Sequence, residues 1–201
     1  QRLIDSGYES HGVEVSGPNI EKAKRVTERC QLYDGRTLPY GDATFDSVGA
    51  LNVLEHVEEP EAFLAELVRV TKSDGKIVVS SPNFFRALGL RDYHPHMRGL
   101  RNKWRNWQRI QTKRRQMASE PGSVCFDRME PIRRKPFQPD DDAIVATNGV
   151  EMKFFLEQND CDVVRVECTD RYVAKPIDFA LNLGPWRYLM FNAFVVARRK
   201  S

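Results

Sequence analysis

The sequence predicts an α/β protein with a doubly wound, Rossmann-like and mostly parallel sheet, an antiparallel last strand and an inserted lid. Short apolar segments alternate with helical patterns along residues 11–84 and again along residues 146–198. Such alternation is typical of parallel sheets. A long irregular stretch joins the last two strand-like segments, so the final strand is free to enter antiparallel.

The size of the chain points to one domain. It has 201 residues, of which 41% are apolar, enough for one substantial core, so we expect a single domain over residues 1–201. Its apolar runs are far shorter than the roughly 18 residues that cross a bilayer, and its N-terminus lacks the apolar block of a signal peptide. These features predict a cytoplasmic protein with no membrane span. Four cysteines without a Cys-x-x-Cys pair indicate neither a zinc cage nor a disulfide framework.

The predicted elements follow in the order that a doubly wound sheet needs. "HGVEV" indicates a short strand, "SGPNIEKAKRVTERC" a helix with Pro18 in its first turn, and "CQLYDG" a brief strand. "TFDSVGALNVL" is almost uninterrupted in its apolar character, as is typical of a strand buried on both faces. Residues 60–71 repeat apolar side chains at helical spacing, and "KIVVSS" indicates another buried strand.

Strand alternation stops in residues 84–145, which hold aromatic, proline and basic residues. We interpret them as an insertion that forms a substrate lid, with at least one helix near residues 99–117. Within it, the basic run at residues 133–135 and the acidic run at 140–142 indicate surface ion pairs. A helix capped near Thr147 or Asn148 follows, and the strands "CDVVRVEC" and "LMFNAFVVARRK" complete the pattern.

Glu14 is the first candidate site residue, because a doubly wound sheet binds its ligand beyond the carboxyl ends of its strands. It ends a predicted strand just before a helix, where an acid can accept from the ribose hydroxyls of a nucleoside. The alternative is a solvated carboxylate stabilised by the helix dipole. A glycine-rich loop normally lies about 20 residues before such an acid, so we expect it upstream of residue 1, with the chain beginning inside the first helix.

Four segments in sequence resemble the class I S-adenosylmethionine-dependent methyltransferases, specifically the small-molecule branch with LPF and LEHV signatures. They are "GVEVSGPNIEKAK", "YDGRTLPYGDATFDSVGALNVLEHV", "FLAELVRVTKSDGKIVVSSPNF" and "FNAFVVARR". The resemblance covers roughly residues 3–84 and 146–198. It departs from the family in lacking the N-terminal strand and the glycine-rich motif, so we expect an N-terminally truncated domain.

The resemblance implies S-adenosylmethionine as cofactor and S-adenosylhomocysteine as product. It implies that Glu14 binds the cofactor ribose with Val15 beside the adenine, and that Asp34, which Gly35 follows, accepts from the adenine amino group. It also implies that Leu51 and Asn52 lie where the chain passes the methionine part of the cofactor. An ordinary turn is the alternative for the middle pair, and plain core the alternative for the leucine. The implied cofactor residues are Glu14 and Val15, Asp34 and Gly35, and Leu51 and Asn52.

Methyl transfer is an in-line displacement, so the enzyme aligns the acceptor, excludes water and removes a proton from an OH or NH acceptor. His56 titrates in the useful pH range and, by the resemblance, lies near the transferred methyl group, so it is the candidate general base. Its alternative roles are to orient its loop or to cap the next helix. Some relatives bind a divalent metal through Glu-x-x-Glu-His; here Asn52 takes the first position, which removes an anionic ligand, and no metal site is predicted.

The predicted lid is strongly basic, with ten Arg or Lys against one acid in residues 86–115. Three interpretations remain open. The helix uses Trp104 and Trp107 for core packing or a homodimer contact, or it forms a cationic lid over an anionic acceptor, or it binds nucleic acid, which is the least favoured because no dedicated binding module is visible. Tyr93 and Tyr172 are further candidates for the acceptor site.

These observations predict a methyltransferase that O- or N-methylates a small-molecule acceptor, an anionic one if the lid covers it. Two alternatives keep the fold but change the function: a cofactor-deficient domain that serves as a binding or scaffold module, and an RNA-directed methyltransferase. A nicotinamide-dependent oxidoreductase also fits Glu14. It does not, however, predict the LPY, FD and LEHV series.

Overall fold

The computed structural model describes residues 2–89, 94–169 and 174–201. Tyr93 and Tyr172 lie outside the described residues. The chain forms two compact units, Gln1–Gly41 and Asp42–Ser201, and each contains a sheet of its own. The single domain over residues 1–201 stays a prediction.

The first unit contains a two-stranded parallel sheet and two helices. In chain order these are α1 (Arg2–Asp5), β1 (Gly12–Glu14), α2 (Gly17–Lys24) and β2 (Cys30–Leu32). Glu14 pairs opposite Leu32, so the carboxyl ends of both strands lie at one edge of the sheet. Pro18 lies in the first turn of α2, and Ile20 is the buried residue of that helix. The predicted order of strand, helix and strand is confirmed.

The second unit contains a four-stranded sheet in the order β3-β4-β6-β5. Its strands are β3 (Phe45–Leu51), β4 (Thr71–Pro82), β5 (Cys161–Thr169) and β6 (Asn192–Arg199). β3 pairs parallel with β4, whereas β6 pairs antiparallel with both β4 and β5. The antiparallel last strand is therefore confirmed, and the carboxyl ends of the other three strands lie at one edge.

In the described residues of this unit four α-helices accompany the sheet, and sequence analysis did not predict one of them. The helix predicted near residues 99–117 is confirmed, as is the cap by Asn148, whose side chain accepts from two backbone N–H groups of the following helix. The missed helix, α6, has only eight residues, too short for a clear periodic signal. No helix in the described part of the chain is both long and apolar enough to cross a bilayer. The helices are α3 (Pro60–Val70), α4 (Leu100–Ser119), α5 (Gly149–Gln158) and α6 (Lys175–Asn182).

β3 is not buried on both faces, contrary to the prediction. Ala50 is the one buried residue of the strand, and Leu51 is 58% exposed. β3 is an edge strand of its sheet, and its apolar sequence does not distinguish an edge from a centre. The buried apolar rows belong to β4 and β6 instead, where Ile77, Val79 and Val195 are completely buried.

The insertion is anchored by apolar packing and by a buried ion network. Phe84, Phe85 and Ile110 belong to one buried cluster, which fixes α4 and the start of the insertion together. Lys113 Nζ on α4 lies 2.8 Å from Glu151 Oε1 on α5. The predicted lid helix is therefore tied to the sheet-covering helix that follows it.

Candidate functional site

The carboxyl edge of the first sheet carries two acids in comparable positions. Glu14 ends β1, and its Oε1 accepts a hydrogen bond from the backbone N–H of Ser16 at 2.9 Å. Asp34 follows β2, and its Oδ1 accepts from the N–H groups of Arg36 and Thr37 at 2.8 and 3.1 Å. These two bonds hold the pKa of Asp34 below its ordinary value. Each carboxylate thus uses one oxygen to fix its own turn.

The residues that follow these acids lie beside each other. A Cβ built on Gly35 would lie 4.0 Å from Cγ1 of Val15. Gly35 has a φ of +85°, a conformation that glycine adopts without strain. Val15 is exposed and offers an apolar surface next to the acids. The structure therefore brings Glu14, Val15, Asp34 and Gly35 to one edge, and their contact with adenosine stays a prediction.

The second unit turns sharply where β3 ends. Asn52 has a φ of +53°, and its N–H donates to the carbonyl of Ser80 on β4 at 2.8 Å. Leu51 is exposed, so the alternative that it is a core residue is wrong. The contact of Leu51 and Asn52 with the methionine part of the cofactor stays a prediction.

A buried carboxylate lies beside the predicted base. Glu55 has no exposed surface, and its Oε2 accepts from Ser81 Oγ at 2.7 Å. Its Oε1 is buried with no hydrogen-bond partner among the described residues, and His56 Nε2 lies 3.9 Å away from it. Burial raises the pKa of Glu55 above its ordinary value. The turn Leu54–His56 thus aims an incompletely satisfied carboxylate at the imidazole.

The insertion places further acids around His56. The Nδ1 atom of His56 lies 3.6 Å from Asp142 Oδ1. Glu55, His56 and Asp140 each offer one ligand atom, and these three atoms lie within 4.8 Å of one another. The ring of His56 does not cap α3, since its described contacts are to carboxylates, so that alternative is wrong.

Sequence reasoning missed Asp140 and Asp142 as site residues, because it interpreted the acidic run as surface pairs. That interpretation holds for Asp141, which is buried and forms an ion pair with Arg134 at 2.8 Å. The acidic run itself was the available signal. Because three successive side chains point in different directions, they cannot all pair with one cation, so some of these acids must have another environment. Asn52 is not part of the Glu55, His56 and Asp140 group, and the absence of a metal stays a prediction.

The basic segment divides between internal contacts and an outward face of α4. Arg109 and Lys113 both form ion pairs with Asp127. Trp104 is 64% exposed, so it does not pack in the core. Together with Trp107 and neighbouring polar residues it lines a groove of about 440 Å³. The homodimer, the anionic acceptor and nucleic acid stay predictions for this face.

Part of the chain is similar in sequence to known methyltransferases. Residues 1–79 match the family described as "Methyltransferase domain". A ubiquinone biosynthesis O-methyltransferase of Rhodopseudomonas palustris is 39% identical over 82 residues, which are 38% of this chain and 32% of that protein. Norajmaline N-methyltransferase of Rauvolfia serpentina is 38% identical over 64 residues, which are 31% of this chain and 22% of that protein. The chain thus aligns with less than a third of either relative's length.

The fold is shared with solved structures of low sequence identity. A structure described as a SAM-dependent methyltransferase from Methanosarcina mazei superposes with a TM-score of 0.56 at 15% identity, covering 99% of this chain and 85% of that one. The chain thus shares the fold of solved S-adenosylmethionine-dependent methyltransferases, and its residues 1–79 match the methyltransferase-domain family.

Proposed function

We propose that this chain transfers a methyl group from S-adenosylmethionine to an oxygen or nitrogen atom of a small acceptor. The observation that carries the proposal is the pair of acids, Glu14 and Asp34, at the carboxyl edge of the β1 and β2 pair. Ribose hydroxyls and the adenine amino group are hydrogen-bond donors, and carboxylates bind such donors strongly. The aligned relatives are named as O- and N-methyltransferases, which supports both acceptor atoms equally.

The residues of the chain would divide the work by unit. In the first unit, Glu14 would accept from the ribose and Asp34 from the adenine amino group. When bound, S-adenosylmethionine supplies an electrophilic methyl group. In the second unit, His56 would take the proton of the acceptor at Nε2, because Asp142 lies near Nδ1 and favours the tautomer that carries its proton there. General-base assistance of this kind is worth about 10²- to 10⁴-fold in rate.

The test is binding of S-adenosylhomocysteine, measured by isothermal titration calorimetry. We expect Glu14→Gln and Asp34→Asn each to weaken binding about tenfold, or about 1.4 kcal/mol, because each exchanges a charged acceptor for a neutral one. Glu21→Gln, on the exposed face of α2, should bind like the wild type. Wild-type affinity in both site variants would remove the adenosine assignment.

The same titration separates the competing functions. A folded wild-type protein that binds neither S-adenosylhomocysteine nor NADH would be a binding or scaffold module. Preference for NADH would indicate an oxidoreductase. The anionic acceptor and the RNA-directed alternative depend on α4, whose exposed aromatic and basic face is tested separately below.

A further inference from the structure

Glu55 is a buried acid that no lysine or arginine neutralises in the part of the chain that the structure describes. Glu55 and Asp142 have no ion-pair partner other than His56 among the described residues. The buried acids elsewhere differ: Glu151 is paired with Lys113 and Asp141 with Arg134, both at 2.8 Å. A buried carboxylate is normally paired with a cation or fully hydrogen-bonded. Among residues 2–89, 94–169 and 174–201, Glu55 therefore differs from Glu151 and Asp141 in having no lysine or arginine partner.

The unsatisfied oxygen shows where that partner would bind. Glu55 Oε1 is completely buried without a hydrogen-bond donor, and it faces His56 Nε2. Asp140 contributes a further acceptor to the same group. Three acceptor atoms around one point match the three N–H donors of an ammonium group.

The spacing of these atoms favours an ammonium over a metal ion. Neighbouring ligands lie about 3.0 Å apart on octahedral Mg²⁺ and about 3.3 Å apart on tetrahedral Zn²⁺, whereas Glu55 Oε1 and His56 Nε2 are 3.9 Å apart. A metal would require Glu55 to move, and its burial and its bond to Ser81 oppose that movement. Hydrogen bonds tolerate the wider spacing, because their angles at the acceptor are broadly distributed.

The pKa of Glu55 depends on its burial and on its charged neighbours. Burial raises it first, and the nearby Asp140 raises it further, against the lowering effects of Ser81 and His56. A positive charge beside Glu55 would oppose this rise, because it favours the ionised form of the carboxyl group.

We propose that Glu55, His56 and Asp140 bind the protonated amine of the methyl acceptor, so that the enzyme is selective for amines. This inference rests on the proposed function and names its substrate class. His56 Nε2 takes one proton from the ammonium, which leaves a neutral amine with a lone pair. That lone pair forms the new N–C bond while the C–S bond of the donor breaks, and its electron pair stays on sulfur. The products are a methylated ammonium, S-adenosylhomocysteine and a protonated His56.

The test follows the ring signals of His56 by NMR during titration with dimethylammonium chloride at constant ionic strength. His56→Gln assigns the signals among the four histidines. We expect a saturable shift with dimethylammonium and at least a tenfold weaker response to tetramethylammonium, which has the same charge but no N–H donor. No methyl donor is present, so failure here leaves the S-adenosylhomocysteine test above unaffected.

Variants connect the shift to the proposed ligands. Asp140→Asn and Glu55→Gln should each weaken the response at least fivefold; asparagine tolerates the φ of +62° at position 140, and glutamine can still accept from Ser81. Glu130 is an exposed acid of the insertion, and the control variant Glu130→Gln should leave the NMR response of His56 to dimethylammonium unchanged. The proposal is overturned if tetramethylammonium acts equally, if MgCl₂ or ZnCl₂ displaces the amine at lower concentration, or if dimethylammonium causes no shift.

Discussion

At the scale of the residue, the partners of a buried carboxylate distinguish an acid that stabilises the fold from one that belongs to the candidate site. Glu151 has no exposed surface, yet Lys113 lies 2.8 Å from its Oε1, and Asn148 donates to it from the start of α5. Glu55 is equally buried, but a hydroxyl and the neighbouring imidazole are its described side-chain contacts. We infer that Glu151 serves the fold, whereas Glu55 serves the ligand.

Removal of the cation from the structural network should destabilise the protein strongly. Lys113→Met leaves both Glu151 and Asp127 without the ammonium that lies 2.8 Å from each. We expect a loss of about 3 kcal/mol in the free energy of unfolding, because an uncompensated buried charge remains. Urea denaturation measures it, with the exposed Arg115→Met as control within about 0.5 kcal/mol of wild type. A loss below 1 kcal/mol in the free energy of unfolding of Lys113→Met would show that the ion pairs of Lys113 do not stabilise the fold strongly.

Glu151 should also make stability depend on pH. Burial raises its pKa from 4.5 to about 7, with Lys113 and Asn148 acting in the opposite direction and Asp127 in the same direction as burial. Because the folded pKa is the higher one, this contribution to stability is full below pH 4.5 and is lost as the pH rises to about 7. It amounts to at most about 3 kcal/mol. Urea midpoints between pH 4.5 and 7.5 should fall more in wild type than in Glu151→Gln; parallel profiles would contradict the assignment.

At the scale of the element, α4 presents a face that could meet a polyanion. Arg101, Arg105 and Arg115 are exposed and have no ion pair in the described part of the chain, and Trp104 lies between them on the helix. If this face binds phosphates, the triple change of these arginines to glutamine should elute from heparin at a salt concentration lower by at least about 0.1 M. Lys72→Gln and Lys200→Gln, made together, provide a control, since both cations already pair with acids. Equal elution of all three proteins would exclude a polyanion at α4.

The elements also show what sequence reasoning can reach. Glu14 was predicted because it ends a strand just before a helix, and Asp34 because the resemblance implies an acid at that position. The parallel pairing of β1 with β2 brings both to one edge. Asp140 and Asp142 were not predicted as site residues, because they lie in a loop far from His56 in sequence and only tertiary packing brings them close to it. The backbone N–H groups of Ile144 and Val145 donate to the carbonyl of Glu55 at 2.9 and 3.1 Å, and no local pattern encodes that contact. Similarly, the exposure of β3 depends on its edge position and not on its composition.

At the scale of the whole molecule, the two units should differ in local stability. β4 is hydrogen-bonded on both sides, to β3 and to β6, whereas β1 and β2 form an isolated pair of three residues each. Two-stranded pairs are marginal on their own, so the first unit should open far more often than the second. In hydrogen exchange we expect the amides of β4 to exchange at least about 100-fold more slowly than those of β1 and β2.

The same experiment locates the cofactor independently of any mutation. A ligand at about 100 times its Kd stabilises the state that binds it by about 2.7 kcal/mol, which slows exchange through opening of that state about 100-fold. If Glu14 and Asp34 hold the adenosine, S-adenosylhomocysteine should slow exchange at β1 and β2, which have the most to gain, while amides near the centre of β4 change least. NADH at equal concentration serves as the control. Protection confined to residues 42–201 would show that the first unit does not bind the nucleoside, and the two acids at its sheet edge would then be ordinary turn residues.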